Sequence, residues 1–196
     1  MIIAIPPRND ENFSVTAYWE KFLLDEDIQQ IISLPQWENI TTSELADGTT
    51  CDFIRKSQTT WFEPNEATNH IWQKIAQAIA NCNQNHFKFD LTGCYEPGQL
   101  TLYRGSEQEH YSWHVDAGFQ KNNAPRKLSM SLLLNDVSDF EGGELLVKNT
   151  DDNPITLEQK KGRAWFFPSY TLHTVTPVTK GERKSLVLWI GGPAFR

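Results

Sequence analysis

The chain predicts a mainly β fold, a sandwich or barrel-like core buttressed by helices from its first half. Three observations predict it. From residue 87 onward, short alternating or apolar runs recur between Asn, Asp, Gly and Pro, about eight of them, as in all-β architectures. Two earlier segments instead carry apolar residues at helical spacing. No repeat, low-complexity tract or linker separates the two parts, and 196 residues suit one domain. The expected organisation is therefore a single domain over 1–196, with 1–86 as a helical and strand support and 87–196 as the β core.

The first helix is expected over residues 14–34, where Tyr18, Phe22, Ile28, Ile31 and Ile32 recur and Pro35 stops the run. Residues 65–83 form the second, with Ile71, Trp72, Ile75, Ile79 and Cys82 on one face. Between them, residues 49–62 alternate and are rich in Thr and aromatics, which reads as strand with a short turn. Further strands are expected at 87–91, at 99–103 after the Pro97-Gly98 turn, and at 112–116, 128–134 and 143–147. The series ends with 155–157, 164–167, 173–178 and 183–190.

Composition narrows the function classes. A net charge of -7 without Lys/Arg clusters argues against nucleic-acid binding. No apolar run reaches eighteen residues, and the first residues lack a signal-peptide pattern, so no membrane partner is expected. Cys51, Cys82 and Cys94 are odd in number and form no short pairing, which suits free thiols in a reducing cytoplasm.

His114 and Asp116 carry the chemistry. Side chains at i and i+2 of a strand point the same way, so His-x-Asp sets two ligands on one face, with Trp113 and Val115 expected on the opposite, apolar face. His173 supplies a third ligand. Two histidines and one carboxylate on one face of a metal, with the remaining positions open, is the arrangement of non-haem Fe(II) oxygenases. Arg183 stands ten residues beyond His173. Its planar guanidinium stays charged at any relevant pH and meets a carboxylate through two parallel hydrogen bonds, which suits a dicarboxylate cosubstrate. Ser185, two residues on and on the same strand face, is placed to donate a second hydrogen bond.

Further motifs follow in order: Leu134-Asn135, Phe140-Glu141-Gly142-Gly143-Glu144-Leu145, and Phe167-Pro168-Ser169 leading into His173. With these, Tyr103 to Trp189 resembles the prolyl 4-hydroxylase-like branch of the Fe(II)/2-oxoglutarate-dependent dioxygenases. The resemblance implies a double-stranded β-helix (jelly roll). It implies that His114, Asp116 and His173 hold iron and that Arg183 pairs with the C5 carboxylate of 2-oxoglutarate. It also implies oxidative decarboxylation to succinate and CO2 coupled to hydroxylation of an unactivated C–H by O2, with ascorbate as an auxiliary reductant. A prolyl residue in a peptide or protein is the favoured substrate. The alternatives are a free amino acid or other small molecule or, in a different class, a non-catalytic cupin-like metal-binding sensor.

Tyr103 matches the tyrosine that the family presents to the cosubstrate, although its distance to His114 is longer than the commonest spacing. Tyr111 is a second candidate, and Leu133 stands where some animal relatives carry a cosubstrate tyrosine. Trp189 takes the place of a tryptophan near the family's substrate mouth. It also occupies the position where nucleic-acid demethylases of the superfamily usually carry a second arginine. His70, His86 and His110 read as surface or locally bonded residues, and Gly142-Gly143 as a tight turn. The polar loop over 117–126 reads as a long connection or a cover for substrate.

Overall fold

The computed structural model describes residues 15–45, 47–118, 125–148 and 153–194. Strict alternation within its long strands gives one sheet two unlike faces, and this organises the fold. In β5 (Gly98–Arg104), β7 (Arg126–Leu133) and β13 (Val178–Gly191), Leu100, Leu128, Met130, Leu132, Leu186, Leu188 and Ile190 turn to one side and are buried in a single apolar cluster. Gln99, Thr101, Tyr103, Ser129, Arg183 and Ser185 occupy the alternate positions and are also buried.

Two helices cover the apolar face. In α2 (Asn69–Cys82), Ile71, Ile75, Ala78, Ile79 and Cys82 are buried, the stripe that the sequence spacing predicts. α1 (Asp25–Ile32) adds Ile28 and Ile31 to the same cluster.

The large sheet runs β1 (Ala17–Trp19), β11 (Ala164–Pro168), β7, β13, β5, β4 (Gln58–Phe62), β2 (Thr41–Thr42), with β8 (Phe140–Gly142) paired to the start of β13. The smaller sheet runs β10 (Pro154–Leu157), β9 (Leu145–Lys148), β12 (His173–Val175), β6 (His110–His114), β3 (Arg55–Lys56). All the pairings are antiparallel. A second cluster joins Tyr103, Leu133 and Phe167 of the large sheet to Leu145, Val147 and Val175 of the small one. The result is the expected jelly roll, with four N-terminal strands contributing to its two sheets.

The helix expected over 14–34 is shorter and begins later. Ala17–Trp19 is strand, paired with β11 through Ala17 and Phe166, Tyr18 and Trp165, and Trp19 and Ala164. Lys21 then adopts φ +59°, which breaks any continuing regular element. The helix starts where Asp27 accepts a 2.7 Å hydrogen bond from the Leu24 N–H. Residue 14 lies outside the described residues. A second correction concerns 87–91, which form no strand. The chain leaves α2 through a wide turn over Asn83–Phe87, closed by Lys88 at φ +54°. The Asn83 side chain then bonds both the N–H and the carbonyl of Phe89, at 2.9 and 2.8 Å, satisfying them without a neighbouring strand.

Candidate metal and cosubstrate site

His114 ends β6 and His173 begins β12, and the two are direct cross-strand partners. Toward the other end of the pairing Val175 faces Tyr111, so Ser112 and Trp113 of β6 stand opposite the single residue Thr174 of β12. This one-residue bulge reverses the alternation of β6 locally and brings Tyr111 onto the His114 side. Their rings stack with centroids 3.4 Å apart and 13° between planes. Trp113 and Val115 are not on a buried apolar face, as expected from the alternation, but are 39% and 46% exposed. The small sheet carries no helix there to cover them.

Asp116 lies just beyond β6, held by its own N–H donating to the Ser169 carbonyl at 2.9 Å. Its carboxylate accepts a 2.8 Å hydrogen bond from Ser129, whose hydroxyl lies 3.0 Å from that of Ser169. Both serines are fully buried. A ligand atom from each of His114, Asp116 and His173 falls within 4.8 Å of the other two. The His114 and His173 Nε2 atoms stand 3.7 and 3.5 Å from the Asp116 carboxylate.

Each Nδ1 is meanwhile 2.8 Å from a backbone carbonyl, Ser112 for His114 and Thr171 for His173. A carbonyl accepts only, so Nδ1 carries the proton and Nε2 keeps its lone pair for a metal. Burial, and after it the nearby His173, push the His114 imidazole down to about 4 against the pull of Asp116. It is therefore neutral at physiological pH. Burial tends to raise the Asp116 carboxyl, but the two histidines and hydrogen bonds from Ser129 and Trp189 outweigh it and hold the group below its usual value.

Arg183 sits opposite Tyr103 across β13 and β5, with its guanidinium 5.6 Å from the Tyr103 ring centre. It is 2% exposed. Its Nε donates to Gln159 Oε1 at 2.9 Å and its Nη1 to Ser185 Oγ at 3.2 Å. Among the described residues no carboxylate lies within ion-pair distance of it, and burial lowers its affinity for its proton. Gly143, at φ +62°, lets the chain pass beside it: a Cβ there would stand 2.8 Å from Arg183 Cδ. The expected Gly-Gly turn is thus also a clearance for the arginine.

The structure thereby separates the two tyrosines. Tyr103 belongs to Arg183, and Tyr111 belongs to His114. Tyr111 also lies under the buried Arg55, whose guanidinium stands 4.7 Å from its ring centre. Trp189 is buried, with the Arg126 guanidinium 4.0 Å above its ring. Arg55 and Gln159 escape sequence reading. Ser169 entered it only within the Phe167-Pro168-Ser169 motif, and Ser129 left a trace as a polar position alternating with Leu128 and Met130.

Residues 98–191 match the model of the 2OG-Fe(II) oxygenase superfamily. A PKHD-type hydroxylase of Synechococcus sp. (strain CC9605) is 29% identical over 170 residues, 83% of this chain and 71% of that protein. One from Alteromonas mediterranea is 41% identical over 92 residues, 44% of this chain but only 40% of the relative's length. Among solved structures, a prolyl hydroxylase of Trichoplax adhaerens, in complex with a peptide fragment of the hypoxia inducible factor oxygen degradation domain, superposes with a TM-score of 0.74. It is 21% identical, covering 90% of this chain and 83% of that one. A Pseudomonas putida prolyl-4-hydroxylase gives 0.71 at 22% identity, covering 92% and 94%. The structural likenesses establish the fold; the matched model is that of enzymes using Fe(II) and 2-oxoglutarate, and the cluster of His114, Asp116 and His173 fits the iron. Over residues 98–191, just under half its length, the chain is similar to the 2OG-Fe(II) oxygenase superfamily, and it is built on a prolyl hydroxylase-like jelly roll.

Proposed function

We propose that His114, Asp116 and His173 hold the Fe(II) of this dioxygenase and that Arg183 anchors the C5 carboxylate of 2-oxoglutarate. The observation that carries the reading is Arg183 itself. A buried guanidinium with no carboxylate partner is costly, and such a cation is retained where an anionic ligand completes it. The donor set suits the metal: two imidazole nitrogens and one carboxylate, converging from one side. When bound, the iron supplies the oxidative decarboxylation of 2-oxoglutarate to succinate and CO2 coupled to C–H hydroxylation.

The chain supplies orientation and dryness. Ser112 and Thr171 carbonyls fix the imidazole tautomers, while Ser129 fixes the carboxylate. Tyr103 walls the cosubstrate side, and Ser185 is free to donate its hydroxyl proton to the same carboxylate that Arg183 holds.

The favoured substrate is a prolyl residue in a peptide or protein. The likeness to PKHD-type hydroxylases, and in fold to a prolyl hydroxylase solved with a peptide fragment, supports this choice. The test incubates anaerobic Fe(II)/2-oxoglutarate protein with O2 and a proline-rich peptide library. Products gaining one oxygen atom, matched by equimolar succinate, are expected. Succinate formed with free amino acids but with no peptide would move the substrate to the small-molecule class.

A further inference from the structure

Three other arginines in this protein show how a guanidinium takes a carboxylate here. Arg126 donates from Nε and Nη2 to Glu96, both at 2.8 Å. Arg104 donates from the same two nitrogens to Glu109, at 3.1 and 2.8 Å. Arg163 does likewise to Glu20. In each case an acid occupies the Nε–Nη2 edge, and on Arg163 a second acid, Glu158, meets Nη1 at 2.8 Å. On Arg183 that edge is met at Nε by Gln159 Oε1, the neutral isostere of a glutamate, at 2.9 Å.

We propose that Gln159 is a positioning residue that reserves Arg183 for a dicarboxylic 2-oxo acid. Its amide oxygen satisfies Nε without neutralising the charge, and it holds the edge that Glu96, Glu109 and Glu20 take on their own arginines. With Ser185 accepting one Nη1 hydrogen, the unspent donors are one on Nη1 and two on Nη2, so the incoming carboxylate meets the Nη1–Nη2 fork. The neighbouring acids are already committed. Glu20 binds Arg163 and Lys160, and Glu158 binds Arg163. Gln159 is itself held firmly, because the Glu158 carbonyl accepts bonds from Arg163 Nη1 and Trp165 Nε1, at 3.2 and 2.9 Å.

This rests on the reading of Arg183 as the cosubstrate anchor, and the experiment separates the two. Anaerobic Fe(II)-loaded wild type, Gln159→Glu, Gln159→Leu and Arg183→Ala are titrated calorimetrically with 2-oxoglutarate and with pyruvate, a 2-oxo acid lacking the distal carboxylate. Gln159→Glu changes one atom and supplies the missing acid, so it should weaken 2-oxoglutarate by roughly tenfold to a hundredfold, about one to two decades of binding constant, while leaving pyruvate within about twofold. In turnover it raises KM for 2-oxoglutarate with kcat at saturation near wild type. Gln159→Leu, which keeps the charge, should lose less than Gln159→Glu. If Arg183→Ala binds 2-oxoglutarate like wild type, the anchor reading falls. If Arg183→Ala weakens it and Gln159→Glu does not, or if pyruvate weakens equally, the role of Gln159 falls.

Discussion

The two faces of the large sheet are built from the same strands and carry opposite chemistry. On the helix side Leu128, Met130, Leu132, Leu186 and Leu188 are sealed under α1 and α2, where each position needs only shape and apolarity. On the inner side Ser129, Arg183 and Ser185 are buried just as deeply, yet every one spends a hydrogen bond on a neighbour in the site. One face is read by stability and the other by ligand binding. A single strand, β13, therefore carries alternate residues with unrelated tasks.

Substitutions can break that division. The largest effect is expected of Asp116→Ala, which removes one of the three proposed ligands: turnover should vanish and Fe(II) binding should be lost, with the apoprotein melting near wild type. Full 2-oxoglutarate-dependent activity in this variant would overturn the metal assignment. On the other face, Phe166→Ala empties a fully buried site and should cost about 3–5 kcal/mol in denaturant unfolding. Activity per folded molecule should stay near wild type, and a specific activity that fell in parallel would join the two faces.

Ser129→Ala tests the inner face without removing a ligand. Loss of the hydroxyl behind Asp116 should weaken metal binding by about ten- to a hundredfold, and Ser129→Thr should restore most of it. An unchanged metal affinity with a lowered melting temperature would mark Ser129 as packing only.

The smallest effect concerns α1 and α2. Burial alone would raise the Asp27 carboxyl, but hydrogen bonds from Lys74 and from the Leu24 N–H outweigh it and lower it below its ordinary value. A carboxyl depressed in the folded state stabilises fully above its unfolded pKa, about 3.9, and that contribution is lost as pH falls through the lower folded value. Asp27→Asn should cost about 1–2 kcal/mol at neutral pH and flatten the acid limb of a stability–pH curve. An unaltered acid limb would show that the pair contributes nothing.

Much of this was legible in the chain. The stripe Ile71, Ile75, Ile79 and Cys82 survives intact because a long helical period is a local property. Residues 17–19 were misread because Tyr18 falls in step with a helical pattern, while what decides its state is β11, far along the chain. Phe89 was misread for the converse reason, since its strand-like alternation meets a side chain instead of a strand. Trp113 and Val115 alternate with the ligands as expected but are exposed, because nothing among the described residues packs over that face of the small sheet to bury them.

By itself the sequence determined the class of fold, the ligand-type residues His114, Asp116 and His173, and the charge at Arg183. These follow from residue chemistry and short spacing, which need no partner to be recognised. Only the tertiary structure decided which tyrosine attends the arginine and which serine aims the aspartate. It alone showed that the guanidinium is buried with a glutamine where its siblings have acids. Those facts depend on cross-strand register and on segments far apart in the chain, and a one-residue shift in register turns every side chain to the other face.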